Sequence, residues 1–233
     1  MRIAEIFRSI QGEGRLTGTD SVFVRTSGCN LRCGFCDTPY ASWTPEGDEL
    51  PVDQIVARVE RLGGSHVVLT GGEPLLFAES VPLCAEFRRL GRHVTIETAG
   101  TRYLPVACDL MSISPKLSNS VPPHSAPSSE PNGVWQHRHE LNRHRPEVIR
   151  RLVCEFDYQV KFVVDSPEDC QEVEAYLAQF PEIDRAQVML MPQGIDAGQL
   201  AAKAAWLRPY CQEHGLGYCP RRQIEWFGPQ RGR

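Results

Sequence analysis

Cys29-Asn30-Leu31-Arg32-Cys33-Gly34-Phe35-Cys36 sets three cysteines at C-x3-C-x2-C spacing, directly behind the β-branched run Val22-Phe23-Val24-Arg25. Thiolates this close together on one loop can wrap a single metal centre, and soft sulfur favours zinc or an iron–sulfur cluster. Ligand count separates the two. A structural zinc site is closed by four ligands, usually as two C-x2-C knuckles. Here one such knuckle exists, and no C-x2-C or H-x3-H partner follows it. A cubane held by three cysteines leaves one iron open for a further ligand, and an open iron implies chemistry.

Outward from the triplet, short apolar runs predict strands at 22–25, 66–70, 93–97, 110–114, 158–164 and 187–191, with a seventh near 217–219. Amphipathic spacing predicts helices at 52–62, 76–90, 167–180 and 197–214. Ser166-Pro167-Glu168-Asp169 has the form of a helix start, with a cap, a proline and an acidic first turn. Strand–helix alternation predicts an α/β fold with mostly parallel strands. A full eight-fold barrel takes about 250 residues. The 233 residues here show too few repeats for that, so an open or partial barrel is expected.

With 41% hydrophobic residues the chain can bury one core, and one domain over 1–233 is the expectation. The stretch from about 117 to 150 breaks the pattern and is read as an irregular insertion, a lid or a mobile segment. Its His/Arg cluster at 137–145 reads as a solvated helical face. A net charge of -4, from 25 basic and 29 acidic residues, gives no field pointing to nucleic acid or a membrane surface. The N-terminus lacks the apolar core of a signal peptide, and no stretch is long and apolar enough to span a bilayer. A cytoplasmic protein is expected. Nine cysteines then argue against a disulfide framework, and the six outside the triplet read as small buried hydrophobes.

Three further motifs sit at strand ends: Thr70-Gly71-Gly72-Glu73-Pro74, Glu97-Thr98-Ala99-Gly100-Thr101 and Ser114-Pro115-Lys116. Polar loops at successive strand C-termini are what an α/β site needs. Glycines there let backbone approach a ligand closely. Together with the cysteine triplet and the aromatic before its last member, these residues resemble the radical S-adenosylmethionine (SAM) superfamily. The resemblance implies a partial, open TIM-like radical SAM barrel. It also implies a 4Fe–4S cluster on Cys29, Cys33 and Cys36, with SAM on the open iron. Phe35 would lie against the adenine, and Asp37, Gly72 and Glu73 would contact SAM, the last two at its methionine amino group. Ser114 and Lys116 suit the ribose hydroxyls or the SAM carboxylate.

The opening Glu5-Ile6-Phe7-Arg8-Ser9-Ile10-Gln11-Gly12-Glu13-Gly14 closely resembles the start of the 7-carboxy-7-deazaguanine synthases. Arg25, Cys36-Asp37-Thr38, the stretch 114–120, the strand 158–164 and Leu190-Met191-Pro192-Gln193-Gly194 extend the similarity along most of the chain. The resemblance implies a carbon–nitrogen lyase. Its reaction would contract 6-carboxy-5,6,7,8-tetrahydropterin to 7-carboxy-7-deazaguanine with loss of ammonia, on the way to queuosine and related 7-deazapurines. Ile10, Gln11, Gly12, Glu13, Arg25 and Thr70 would bind substrate: Glu13 would accept from the donor edge of the pterin, and Arg25 would meet its carboxylate. Thr38 matches a position that offers a hydroxyl to Mg²⁺, which wants oxygen ligands and keeps several waters. A homodimer and an external electron donor such as a flavodoxin are expected partners. No substrate contact is carried onto the terminus at 219–233. Two other readings stay open: a radical SAM activase that makes a glycyl radical on a protein partner, and a non-enzymatic zinc-stabilised module.

Overall fold

A computed structural model describes residues 1–123 and 133–232. Its centre is a nine-stranded sheet. The strands are β1 (Arg2–Ile10), β2 (Asp20–Thr26), β3 (Asp48–Glu49), β4 (His66–Gly71), β5 (His93–Thr98), β6 (Leu110–Ile113), β7 (Tyr158–Val164), β8 (Val188–Pro192) and β9 (Gly217–Tyr218). Their order is β3-β1-β2-β4-β5-β6-β7-β8-β9. Every pair from β2 to β9 is parallel, and β1 runs antiparallel to both β2 and β3. This is the open, mostly parallel barrel that strand–helix alternation predicted. Strands covered on both faces are continuous apolar runs: Val67, Val68 and Leu69 of β4 are all buried, and in register Val67 meets Val94 and Leu69 meets Ile96.

Helices α1 (Pro39–Ser42), α2 (Val52–Leu62), α3 (Ser80–Arg89), α4 (Val134–Arg143), α5 (Pro146–Glu155), α6 (Pro167–Leu177), α7 (Ala197–Glu213) and α8 (Arg222–Phe227) accompany the strands. The longer ones bury a stripe: Ile55 and Val59 on α2, Leu83 and Phe87 on α3, Ile149 and Leu152 on α5, Val173 and Leu177 on α6. At the start of α6 the Asp169 carboxylate accepts from the Ser166 backbone N–H at 3.1 Å, with Pro167 in the first turn. Four of the six scattered cysteines, Cys84, Cys170, Cys211 and Cys219, are buried and all are free thiols. Cys108 is half-buried and Cys154 exposed, so those two depart from the expectation.

Among its described residues, the irregular segment expected over 117–150 is largely helical. It holds a short 3-10 turn at Ser118–Ser120, all of α4 and the start of α5. Only 124–132 of that stretch lies outside the described residues. The polar sequence of α4, with the single buried side chain His139, hides a helical stripe from any search for apolar periodicity. Strand β1 is a second addition. Its charged residues Glu5 and Arg8 interrupt the apolar–polar alternation that marks a half-buried strand.

Loop 11–15 bridges the open side of the sheet. Gly14 N–H donates to Cys219 Sγ at 3.1 Å, Arg15 N–H to Gln159 Oε1 at 2.8 Å, and Arg222 N–H to Gly12 O at 3.0 Å. Residues next to the N-terminal strand therefore pack against β7, β9 and α8. A Cβ on Gly12 would stand 2.6 Å from the backbone nitrogen of Gln223, so only glycine permits this approach.

Candidate active site

The carboxyl ends of the parallel strands and loop 11–15 enclose a cavity of about 580 Å³. Cys29, Cys33 and Cys36 all line it, together with Phe35, Asp37 and Thr38. The cysteine loop is held from several sides. Arg32 Nη1 donates to Cys29 O and Leu31 O, each at 2.7 Å, and Trp43 Nε1–H donates to Cys33 O at 3.1 Å. Cys36 Sγ is 3.1 Å from Ser42 Oγ and 3.8 Å from Thr38 Oγ1.

Gly71 and Gly72 line the cavity as anticipated, but the reason for glycine lies elsewhere. A Cβ on Gly72 would lie 2.0 Å from Gly28 O, and one on Gly71 would lie 2.2 Å from Thr26 O. They let the loop after β4 lie against the loop after β2, which carries the cysteines. Glu73 departs from its expected place at SAM. Its side chain is fully enclosed and accepts from Thr98 Oγ1 at 2.7 Å, Ala99 N–H at 2.9 Å and Leu75 N–H at 3.1 Å. Burial raises its pKa against those three hydrogen bonds. Glu73 thus knits the loops after β4 and β5 together and does not line the cavity. Ser114 and Lys116 do line it, and Lys116 Nζ donates to Ser114 O and Oγ at 2.8 and 2.7 Å.

Substrate residues named from sequence are drawn together, with partners the sequence did not announce. Thr70 Oγ1 donates to Glu97 at 2.7 Å, and Gln11 Nε2 donates to the other oxygen of Glu97 at 3.2 Å. Glu13 is linked to Lys161, to Arg221 Nε at 3.3 Å and to Gln223. Burial alone would raise the Glu13 pKa. The charges of Lys161 and Arg221 and the hydrogen bonds of Lys161 and Gln223 overcome it and hold the carboxyl down at about 2. Lys161 moves the opposite way: burial opposes its charge, but Glu13 and Glu97 raise its pKa, so both partners stay ionised. Arg221 also donates from Nη1 to Gly194 O at 2.6 Å and pairs through Nη2 with Asp37. It ties the loops that follow β1, β2 and β8 into one wall.

Arg25 is anchored by Glu5, whose Oε1 accepts from Arg25 Nε at 2.6 Å and from Tyr40 OH at 2.8 Å. Ile10, expected among the substrate-binding residues, borders the cavity at 40% exposure. The terminal stretch, to which the sequence assigns no substrate contact, is also part of the wall: Gly228 to Gly232 border the cavity. Arg231 fastens it by ion pairs to Glu46 at 2.8 Å and Glu5 at 3.5 Å and by stacking 4.0 Å over the Tyr40 ring. Among residues missed from sequence, Lys161 lay in plain view as a charge inside the apolar run 158–164, a place where an unpaired lysine is costly. Glu97 stood in a strand-end motif without a role of its own, and Arg221 and Gln223 offered no signal.

The donor set fits an iron–sulfur cluster. Three thiols of one loop face one cavity, and burial pushes Cys29 and Cys33 up to about 12, so a bound metal centre is what makes thiolates of them. Among the described residues no three His, Cys, Asp or Glu side chains are gathered as for a single ion. A cubane meets each thiolate at a different iron, so its ligands stand farther apart than those of one ion. For Mg²⁺ the neighbourhood offers the Thr38 hydroxyl, while the adjacent carboxylate of Asp37 is engaged by Arg221.

Residues 23–152 match the model of the radical SAM superfamily. The chain is 48% identical over 231 residues to the 7-carboxy-7-deazaguanine synthase of Rhodopirellula baltica, covering 99% of this chain and 88% of that protein. It is 42% identical over 228 residues to that of Halobacterium salinarum, covering 95% and 88%. Among solved structures it resembles the crystal structure of QueE from Escherichia coli, with a TM-score of 0.68 at 21% identity, covering 94% of this chain and 92% of that one. Streptococcus suis SuiB bound to S-adenosylmethionine shares the fold at a TM-score of 0.54 and 15% identity, over 87% of this chain and 54% of that one. By its triplet, its open barrel and these relatives, the chain belongs to the radical SAM superfamily and, within it, to the 7-carboxy-7-deazaguanine synthase family.

Proposed function

We propose that this chain converts 6-carboxy-5,6,7,8-tetrahydropterin to 7-carboxy-7-deazaguanine with loss of ammonia, in 7-deazapurine biosynthesis. One observation carries the reading: the cysteine triplet and the buried Glu13–Lys161–Arg221 group line the same cavity. Cys29, Cys33 and Cys36 hold a 4Fe–4S cluster, and Phe35, Asp37, Gly72, Ser114 and Lys116 border the SAM half. When bound, cluster and SAM together supply one-electron cleavage of a carbon–sulfur bond and hydrogen abstraction from the substrate.

The chain's own contribution is placement and exclusion of water. Glu13 is kept ionised by Lys161 and Arg221. A carboxylate has about four acceptor sites, and three donors hold this one, which leaves room for the donor edge of a pterin. Arg25, oriented through its Nε by Glu5, turns its terminal nitrogens to the substrate carboxylate. Gln11 and Thr70 are fixed by Glu97 and, with Ile10 and Gly12, frame the ring. Thr38 would offer a hydroxyl to Mg²⁺, a hard cation that would supply charge stabilisation to the substrate's oxygens. An external reductant such as a flavodoxin, a homodimeric assembly and a reducing cytoplasm complete the reading. No described helix is long and apolar enough to cross a membrane. The test is incubation of anaerobically reconstituted protein with SAM, reductant and the carboxypterin. Formation of the deazapurine with one ammonia released is expected, and deoxyadenosine without any deazapurine would refute the substrate.

A further inference from the structure

No residue of α4 borders the cavity. The helix does reach the cysteine loop. His139, its one buried side chain, accepts at Nδ1 from Arg32 N–H at 3.1 Å. Its Nε2 lies 2.9 Å from Ser120 Oγ. That hydroxyl spends its own proton on Leu117 O at 2.5 Å, so Nε2–H donates to the hydroxyl and the imidazole is the neutral Nε2 tautomer. Ser120 O in turn accepts from Gly34 N–H at 2.9 Å. The two backbone N–H groups flanking Cys33 are therefore both held by one buried unit. Trp135, a turn earlier on α4, stacks 3.9 Å over the Arg32 guanidinium whose Nη1 grips the carbonyls of Cys29 and Leu31.

We infer that His139, with Ser120 and Trp135, is a positioning unit that presets the Cys29–Cys36 loop for its cluster and slows the loss of iron. The inference rests on the cluster reading of the triplet. The unit touches the loop's backbone and Arg32 and works through them: a loop already fixed in the ligating conformation loses less conformational entropy when it closes on a metal centre. The His/Arg-rich stretch at 137–145 thereby acquires a task other than covering substrate.

The test uses the full chain, reconstituted anaerobically. It measures iron transfer to the chelator bathophenanthroline, the EPR spectrum of the dithionite-reduced protein with and without SAM, and the melting temperature of each protein. His139→Leu is expected to release iron about tenfold faster, the factor that about 1.4 kcal/mol represents and the scale of one buried hydrogen bond, and to broaden the EPR signal. His139→Asn keeps an acceptor near Arg32 N–H and should recover part of the retention. Ser120→Ala keeps the carbonyl that holds Gly34, and Trp135→Leu only uncovers Arg32. Both carry the test even if His139→Leu fails to fold, and each is expected to release iron a few-fold faster. Parent-like iron release and parent-like spectra in these two variants would overturn the inference, even with lowered melting temperatures, because packing alone would have been lost. A parent chain that takes up no iron and sulfide would overturn the cluster reading and this inference together.

Discussion

Glu13 shows how a buried carboxylate at the cavity wall is tied into the fold. Its carboxyl sits at about 2 in the folded chain against the ordinary 4.5. A depressed carboxylate stabilises the fold fully above the unfolded value, and that contribution disappears as pH falls from about 4.5 through about 2. Its size is on the order of 3 kcal/mol. Urea midpoints measured against pH should therefore show an acid limb over that window which Glu13→Gln flattens; an equal slope in the variant would contradict the assignment. At neutral pH, Lys161→Met should cost about 3 kcal/mol, because it removes one partner from a buried pair and leaves the other less compensated. Of this group, Glu13 was legible in the sequence through the Gln11-Gly12-Glu13-Gly14 motif, and Lys161 through its odd place in an apolar strand. Arg221 and Gln223 were not, since they lie 208 and 210 residues from Glu13 along the chain and no local pattern reports a contact of that kind.

Among the elements, β2 and β4 carry the two loops that matter most, and glycine sets how closely those loops meet. Gly72→Ala would drive a Cβ against the Gly28 carbonyl, a backbone atom with no rotamer to yield. The expected cost is about 3 kcal/mol or more, read as a lowered melting temperature together with weaker iron retention, since Gly28 adjoins Cys29. A variant that melts and retains iron like the parent would show that the two loops need not touch. The parallel strands were readable because burial on both faces leaves nearly unbroken apolar runs. Strand β1 and helix α4 were harder to see for a shared reason: each presents few buried apolar side chains, and what orders them is pairing with β2 in one case and the His139 contacts in the other.

At the scale of the whole molecule, the two ends of the chain close the site. Loop 11–15 spans from β1 to the region of β9, and residues 228–232 border the cavity, held by Arg231 through partly exposed pairs. Exposed pairs contribute little to stability. Removal of 228–233 should leave the melting temperature close to that of the parent while raising the KM for the carboxypterin by about tenfold, a loss of about 1.4 kcal/mol of binding. An unchanged KM would assign the tail no part in the site. The open barrel, the cysteine loop and the strand-end motifs could be read from local sequence, whereas closure by the two termini is a property of the folded chain and could not. The chemistry of the site depends on Cys29, Cys33 and Cys36 together holding a cubane with one iron left open for SAM. The decisive measurement is iron and sulfide analysis of oxygen-protected protein, combined with EPR of its reduced form before and after SAM is added. A full 4Fe–4S complement with a spectrum that changes on adding SAM is the predicted result. Stoichiometric zinc without sulfide, or a cluster spectrum indifferent to SAM, would contradict it.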